Sequence, residues 1–215
     1  IRDRFGIKPL YYGITENDVV FASELKVIIK SNVFPKTLNN SAVADYFVYR
    51  YVPSPKTIWE GISKLPPANY LSVNLEDFSY TTETYWELNG AEKKVELNEF
   101  IAETEELLKK SVQQHLRADV PIGSFLSGGY DSSALALWMK EAEKPPKTFS
   151  IGFENWEKSE HFYAKKVSDY LELNNEAVVA TAKSLDLVDL MAEVYDEPIA
   201  DISIVPTYMV SQLAR

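Results

Sequence analysis

The stretch Phe125–Ala136, FLSGGYDSSALA, decides how the second half of the chain folds. It places two adjacent glycines, in a chain that contains only 8, between two apolar segments. The preceding ADVPIGSFLS predicts a short buried strand, and the following DSSALALWMKEAE predicts a helix. A strand, a glycine turn and a helix start form a common anion site, because the first N–H groups of a helix have no partner within it.

The residues of this turn suit a phosphate chain that is accompanied by a cation. Gly128 and Gly129 permit positive φ angles and lack the Cβ atoms that would block an approaching anion. Asp131 is out of place beside an anion unless a cation binds too, and Mg²⁺ held by a carboxylate and phosphate oxygens meets that need. Hydroxyl donors flank the glycines at Ser127, Ser132 and Ser133. We therefore expect a site for Mg²⁺ and the pyrophosphate part of ATP.

Several better-known glycine motifs fit this turn less well. The pattern GxxxxGK[ST] is absent, the turn contains no Lys, and GxGxxG is absent as well. A GxSxG nucleophile elbow would need Gly at the position of Phe125. The simplest alternative is a capped turn, in which Asp131 or a serine starts the helix. The strand before the turn and the apolar helix after it favour the anion site.

Composition excludes several classes of protein. The formal net charge of the 215 residues is −10, and no basic run suggests a nucleic-acid surface. There are no cysteines, so disulfides, thiolate metal sites and cysteine nucleophiles are excluded for these residues. No apolar run approaches the length of a membrane span. We expect a soluble, cytoplasmic protein with no nucleic-acid or membrane partner.

The chain changes character near residue 90. Residues 1–87 are strand-rich, with a hairpin predicted where NYLSVNL meets SYTTETYW, and the polar segment Leu88–Asn98 is the predicted linker. An amphipathic helix follows, with Phe100, Ile101, Leu107, Leu108, Val112 and Leu116 on or near one face. Strands and helices then alternate to the end, which predicts a parallel sheet with helices on its faces.

Two further groups of polar residues are candidates of lower rank. Asp196, Glu197 and Asp201 form an acidic cluster that could help to bind aspartate or a metal, although a solvated loop or a helix cap is the favoured interpretation. His115 and His161 are both expected at the surface.

The motifs together resemble the glutamine-hydrolysing asparagine synthetase family. RADVPIGSFLSGGYDSSALA is similar to its PP-loop, or ATP-pyrophosphatase, motif, although Tyr130 stands where the family usually has Leu. RDRFGIKPLYYG, VVFASELKVI and YVPSPKTIWEGISKLPPANYLSV resemble the end of its glutaminase domain. KTFSIGFE, SEHFYAKKVSDYL and DEPIADISIVPTYMVSQLAR resemble the following part of its synthetase domain. The resemblance covers essentially the whole chain, in order.

The resemblance implies an α/β chain built from two incomplete domains. Residues 1–87 would be the C-terminal part of an N-terminal-nucleophile glutaminase domain (an α+β sandwich, glutamine amidotransferase type 2), and 88–98 the linker. Residues 99–215 would be the first half of a PP-loop ATP-pyrophosphatase domain, an adenine nucleotide α-hydrolase-like parallel sheet with flanking helices. The family's nucleophilic cysteine would lie before Ile1 and a second synthetase loop after Arg215, so we expect this chain alone to be inactive.

The resemblance also implies a reaction, its cofactors and a set of contacts. The family amidates aspartate to asparagine through β-aspartyl-AMP, using MgATP and ammonia released from glutamine. A homodimer is also compatible with the resemblance. Asp131 would bind Mg²⁺, and no catalytic residue is expected within these residues. Contacts to ATP would come from Leu126, Ser127, Gly128, Gly129, Asp131, Ser132, Ser133 and Ile151.

Two alternatives stay open at this point. One is a relative that activates another carboxylate, as β-lactam-forming enzymes of the family do. The other is a non-catalytic paralogue that binds a nucleotide.

Overall fold

The structure, a computed structural model, describes residues 1–90, 92, 94–141, 145–154, 156, 159–181 and 187–215. These residues form two units of mixed α/β structure, as the sequence predicts. The first unit is Ile1–Ala91 with Asp189–Asp201, and the second is Glu92–Val188 with Ile202–Arg215. The domain boundaries 1–87, 88–98 and 99–215 stay a prediction. The unit division differs from them in one respect, because Asp189–Asp201 belongs to the first unit.

The strands of the first unit confirm the prediction of a strand-rich region, although residues 62–64 form a strand where the prolines of the sequence predict a connection. β1 (Tyr11–Ile14) lies between β2 (Val19–Ala22) and β3 (Ile62–Lys64) in an antiparallel sheet. β4 (Asn69–Val73) and β5 (Tyr80–Thr84) form the predicted hairpin. Side chains of the first three strands contribute to the core, since Ile62 is buried there and Tyr11, Val20 and Ala22 pack against it.

The first two helices of the chain belong to the first unit, and the second ends at Tyr49, before Pro53, where the sequence predicts its end. α1 is Leu25–Lys30 and α2 is Asn40–Tyr49. The Asn39 side chain caps α2 by accepting hydrogen bonds from the N–H groups of Ser41 and Ala42, and Arg50 ends it at a φ of 67°. The buried core contains Leu25, Ile28, Phe34, Ala42, Val52, Ile58 and Ile62.

The second unit contains the predicted parallel sheet. Its strands are β6 (Gly123–Phe125), β7 (Lys147–Phe153) and β8 (Asn175–Ala180), paired in parallel in the order β6-β7-β8. Helix α4 packs on β6, and α5 and α7 pack on β7 and β8. The helices are α3 (Leu97–His115), α4 (Tyr130–Lys140), α5 (Glu160–Tyr170) and α7 (Ile204–Ala214), while α6 (Val188–Val194) belongs almost entirely to the first unit.

Two details of the second unit differ from the prediction. β6 is not a buried strand: Phe125 is half exposed, because β6 pairs only with β7 among the described strands. Helix α3 forms as predicted, but of its apolar residues only Val112 is buried. Substantial exposure is seen at Phe100, Ile101, Leu107 and Leu108.

Three predicted segments fall partly outside the described residues, one of which is the predicted helix DSSALALWMKEAE, at residues 142 and 143. The predicted linker Leu88–Asn98 includes residues 91 and 93, and the predicted helix SLDLVDLMAEVY includes residues 184–186. The C-terminal part of that helix is confirmed as α6. Across the described ranges, no helix is both long and apolar enough to cross a membrane.

Candidate functional site

The serine-glycine loop, residues 127–133, lies where β6 ends and α4 begins. β6, β7 and β8 run parallel, so their carboxyl ends meet at one edge of the sheet, which is the usual ligand-binding edge of such sheets. Leu126, directly before the loop, is 2% exposed and donates its N–H to the carbonyl of Phe149 at 2.8 Å. The loop is therefore fixed to the core at its first residue.

Gly128 is required by its backbone and by its neighbours. Its φ is +83°, in the left-handed region that favours glycine. A Cβ atom there would lie 2.6 Å from the backbone carbon of Tyr163 and 2.8 Å from the nitrogen of Ala164. Glycine at this position therefore allows the loop to approach helix α5 closely.

Gly129 has a different role from the one we predicted. Its φ is −73°, so it does not use the conformational freedom of glycine, and it is the N-cap residue of α4. A Cβ atom there would approach only the Ser127 hydroxyl, at 3.4 Å. The helix begins at Tyr130, one residue earlier than predicted.

Hydroxyl groups hold the two ends of the loop together. The Oγ atoms of Ser127 and Ser132 are 3.0 Å apart, and the N–H of Ser127 donates to the Ser132 Oγ at 3.3 Å. The Gly129 N–H donates to the Ser127 Oγ at 3.3 Å, and its carbonyl accepts from the Ser132 hydroxyl at 3.2 Å. Two of the three predicted serines thus shape the turn from within.

The start of α4 has polar groups without a hydrogen-bond partner among the described residues. No side chain among the described residues caps this helix, so its first N–H groups are available to a ligand. The Ser133 Oγ is buried and has no hydrogen-bond partner among the described residues. Because an unpaired buried hydroxyl costs stability, these groups fit an anion that accepts hydrogen bonds from them.

The remaining predicted residues differ in exposure. The side chain of Asp131 lies in the first turn of α4 and is exposed, and Tyr130 beside it is 97% exposed. Ile151 is half-buried in β7, the strand that pairs with β6. Within the described residues, no group of three or more His, Cys, Asp or Glu side chains could hold a metal ion.

A polar contact that the sequence analysis missed lies at the end of β7. His161, predicted to be a surface residue, is half-buried, and its Nδ1 lies 2.7 Å from the Ser159 Oγ. The buried Ser159 Oγ also accepts the N–H of Phe153 at 2.8 Å. The His161 ring occupies the space beside Gly152, where a Cβ atom would lie 2.1 Å from Nδ1. His115, in contrast, is exposed as predicted.

The prediction for the acidic cluster is wrong in part. Asp196 and Glu197 are not a solvated loop, since both side chains are 13% exposed and form ion pairs with Lys26 and Lys64. Asp196 also accepts the N–H of Lys26 in the first turn of α1, as a helix cap does. Their partners are residues of the first unit. Asp201 is exposed, as a solvated residue would be.

Comparison with known families assigns both halves of the chain. Residues 103–215 match the Asparagine synthase family, and residues 1–86 match the Glutamine amidotransferase domain. The chain belongs to the asparagine synthase family.

Similar proteins carry the same family name over the full length of this chain. It is 37% identical over 219 residues to the putative asparagine synthetase (glutamine-hydrolyzing) 2 of Methanocaldococcus jannaschii, covering 100% of this chain and 42% of that protein. It is 34% identical over 216 residues to the asparagine synthetase (glutamine-hydrolyzing) 1 of Bacillus subtilis, covering 100% of this chain and 34% of that protein. The chain thus spans between about a third and two fifths of the length of these relatives.

Proposed function

We propose that the full-length protein converts aspartate to asparagine, using ATP and ammonia released from glutamine. The observation that carries the proposal is the uncapped start of α4 beside the buried, unpartnered Ser133 hydroxyl, in a chain of the asparagine synthase family. The match to the Glutamine amidotransferase domain supports glutamine as the source of ammonia. We also propose the finer fold assignments, an N-terminal-nucleophile sandwich and a PP-loop sheet, for the two halves.

In this proposal the serine-glycine loop binds the pyrophosphate part of ATP. The first N–H groups of α4 and the Ser133 hydroxyl donate hydrogen bonds to phosphate oxygens, while the Ser127–Ser132 contact keeps the turn in shape. Leu126 and Ile151 contact the adenosine part. Asp131, exposed beside the N–H groups, would hold the Mg²⁺ that accompanies the phosphates.

The reaction needs no nucleophile from the protein. A carboxylate oxygen of aspartate attacks the α-phosphorus of ATP, pyrophosphate leaves, and β-aspartyl-AMP forms. Ammonia then attacks the carbonyl carbon, AMP leaves, and a proton passes to solvent. Bound Mg²⁺ would neutralise the negative charge that develops on pyrophosphate. The N–H groups of α4 and the Ser133 hydroxyl would stabilise the same charge by hydrogen bonds.

The test follows pyrophosphate release by the full-length protein from MgATP and ammonia, with and without aspartate. We expect release to require aspartate and to yield asparagine. Asp131→Asn should lower kcat/KM at least 100-fold and leave the melting temperature unchanged, because the carboxylate is exposed. Asp119→Asn removes an exposed carboxylate of the same unit as a matched control.

Each alternative gives a different result. Pyrophosphate release that depends on another carboxylic acid would keep the activation chemistry and change the substrate. No release under any condition would favour the non-catalytic paralogue. Wild-type kcat/KM in Asp131→Asn would refute the metal-binding role of Asp131.

A further inference from the structure

A short segment of the asparagine synthase match folds with the other half of the chain. Residues 103–215 match the Asparagine synthase family, yet Asp189–Asp201 belongs to the first unit. The rest of that unit, Ile1–Ala91, contains the match to the Glutamine amidotransferase domain. We call Asp196 and Glu197 the acidic clasp, because these two side chains bind the segment Asp189–Asp201 to the rest of the first unit.

Glu197 forms the more buried part of the acidic clasp. One carboxylate oxygen accepts the N–H of Ile58 at 2.8 Å, and the other lies 2.5 Å from the Nζ of Lys64. The side chains of Lys64 and Glu197 are 16% and 13% exposed. Lys64 also donates to the carbonyl of Val52 at 2.6 Å. A carboxylate paired in this way in a largely buried site has a strongly preferred position.

Asp196 binds a single residue twice. One of its oxygens accepts the main-chain N–H of Lys26 at 3.2 Å, and the other lies 3.2 Å from the Nζ of the same residue. Lys26 Nζ also donates to the carbonyls of Glu193 and Val194, at 3.2 and 3.1 Å, where α6 ends. A cation at the carbonyl end of a helix is favourable, so Lys26 holds both α6 and the clasp.

A main-chain bond completes the attachment. The N–H of Ala200 donates to the carbonyl of Arg50 at 2.9 Å, at the left-handed residue that ends α2. All partners of the segment in these contacts lie between Lys26 and Lys64, and the bonds between a side chain and the main chain span 139 to 170 residues. A solvated loop that only connected β8 to α7 would not require these specific long-range contacts.

The segment Asp189–Asp201 is flanked in the sequence by elements of the candidate nucleotide site's unit. The segment follows β8 and precedes α7. Helix α7 packs on β7, the strand that contains Ile151, and on β8. The segment between them is therefore an element of the asparagine synthase match that is set by lysines of the glutamine amidotransferase half.

We propose that the acidic clasp couples glutamine hydrolysis to asparagine synthesis, which rests on the function proposed above. Asp196 and Glu197 are positioning residues that act through Lys26, Ile58 and Lys64, and they fix the segment that leads into α7. With the clasp intact, ammonia released from glutamine is used in synthesis. With the clasp broken, each half keeps its own chemistry, and ammonia from glutamine is lost to solvent.

The experiment compares two rates in the full-length protein with the Glu197→Gln variant. The coupling ratio is the glutamate formed per asparagine formed when glutamine is the nitrogen donor. We expect this ratio to rise at least threefold in Glu197→Gln, while the kcat of synthesis from added ammonia stays within twofold of wild type. Lys64→Arg keeps the cation and should keep the wild-type ratio.

Asp45→Asn is the matched control. Lys56 and Asp45 form an ion pair at 2.7 Å in the same unit, with neither partner in the segment Asp189–Asp201. This variant should leave the coupling ratio unchanged. If Glu197→Gln does not fold, Lys26→Gln tests the Asp196 side of the clasp, since the side chain of Lys26 is 33% exposed and its loss is milder.

The results separate coupling from a merely structural role. A wild-type coupling ratio in a folded clasp variant overturns the proposal. An equal loss of ammonia-supported and glutamine-supported synthesis overturns it too, because that pattern indicates general damage. Failure of the proposed function gives a different result in a different assay: the wild-type protein would release no pyrophosphate in response to aspartate.

Discussion

The serine-glycine loop of the second unit bonds mainly to itself, whereas the acidic clasp of the first unit bonds to residues far away in the sequence. Ser127 and Ser132 meet across five residues, and the Ser133 hydroxyl is left without a described partner. Asp196 and Glu197 reach partners 170 and 139 residues away, and both carboxylates form ion pairs, although one Asp196 oxygen makes no hydrogen bond within the described residues. A ligand site keeps hydrogen-bonding groups available, while a structural contact neutralises its charges within the protein.

The largest effect is expected for Gly128→Ala. The substitution forces a side chain into a positive φ and against the backbone of α5, so we expect a loss of about 2–5 kcal/mol in the free energy of unfolding. Urea unfolding of the full-length protein measures it.

Gly129→Ala is the matched control for that substitution. Its φ is negative and its nearest new contact is at 3.4 Å, so we expect a change below about 1 kcal/mol. Equal losses in the two variants would contradict the different roles that we assign to these glycines.

A smaller effect is expected when the clasp loses its buried cation. Lys64→Met leaves the Glu197 carboxylate charged and largely buried, and we expect a loss of about 2–4 kcal/mol in the free energy of unfolding. Lys56→Met breaks the more exposed pair with Asp45 and should cost about 1 kcal/mol or less. Chemical denaturation of both variants compares them, and a larger loss for Lys56→Met would show that burial does not set the strength of the clasp.

The smallest effect concerns Tyr11 of β1 at high pH. Burial, with the nearby charges of Glu197 and Asp196, raises the pKa of Tyr11 from 10.0 to about 12. The unfolded chain therefore releases this proton near pH 10 while the folded protein keeps it, so stability falls between pH 10 and 12.

Tyr11→Phe removes this titration and should flatten the dependence of the urea midpoint on pH above 10. Glu197→Gln should flatten it partly, because the Glu197 charge is one cause of the raised pKa. A slope in Tyr11→Phe as steep as that of the wild type would show that other groups produce the fall.

The sequence predicts features that depend on neighbouring residues. The hairpin of β4 and β5, the alternation of strands and helices after residue 99, and the position of the serine-glycine loop are confirmed. Each depends on side-chain period or turn chemistry within about 20 residues. The positive φ of Gly128 also belongs here, since a turn between a strand and a helix favours glycine.

Features that depend on distant partners were not predicted. Nothing near Asp196 and Glu197 in the sequence indicates Lys26 or Lys64, so a solvated cluster was the better guess from composition. The burial of His161 was also missed, because its contact with Gly152 depends on how α5 packs on β7. The exposure of β6 likewise depends on which strands pair with it, not on its apolar residues.

The long reach of the clasp has a consequence for protein synthesis. Lys26 is made 170 residues before Asp196, which at about 5–20 residues per second is a delay of about 10–30 s. During that time the first unit lacks Asp196 and Glu197, although its strands and the helices α1 and α2 have already been translated. A ribosome that stalls after β8 would therefore hold an unfinished first unit, with Lys26 and Lys64 open to chaperones and proteases.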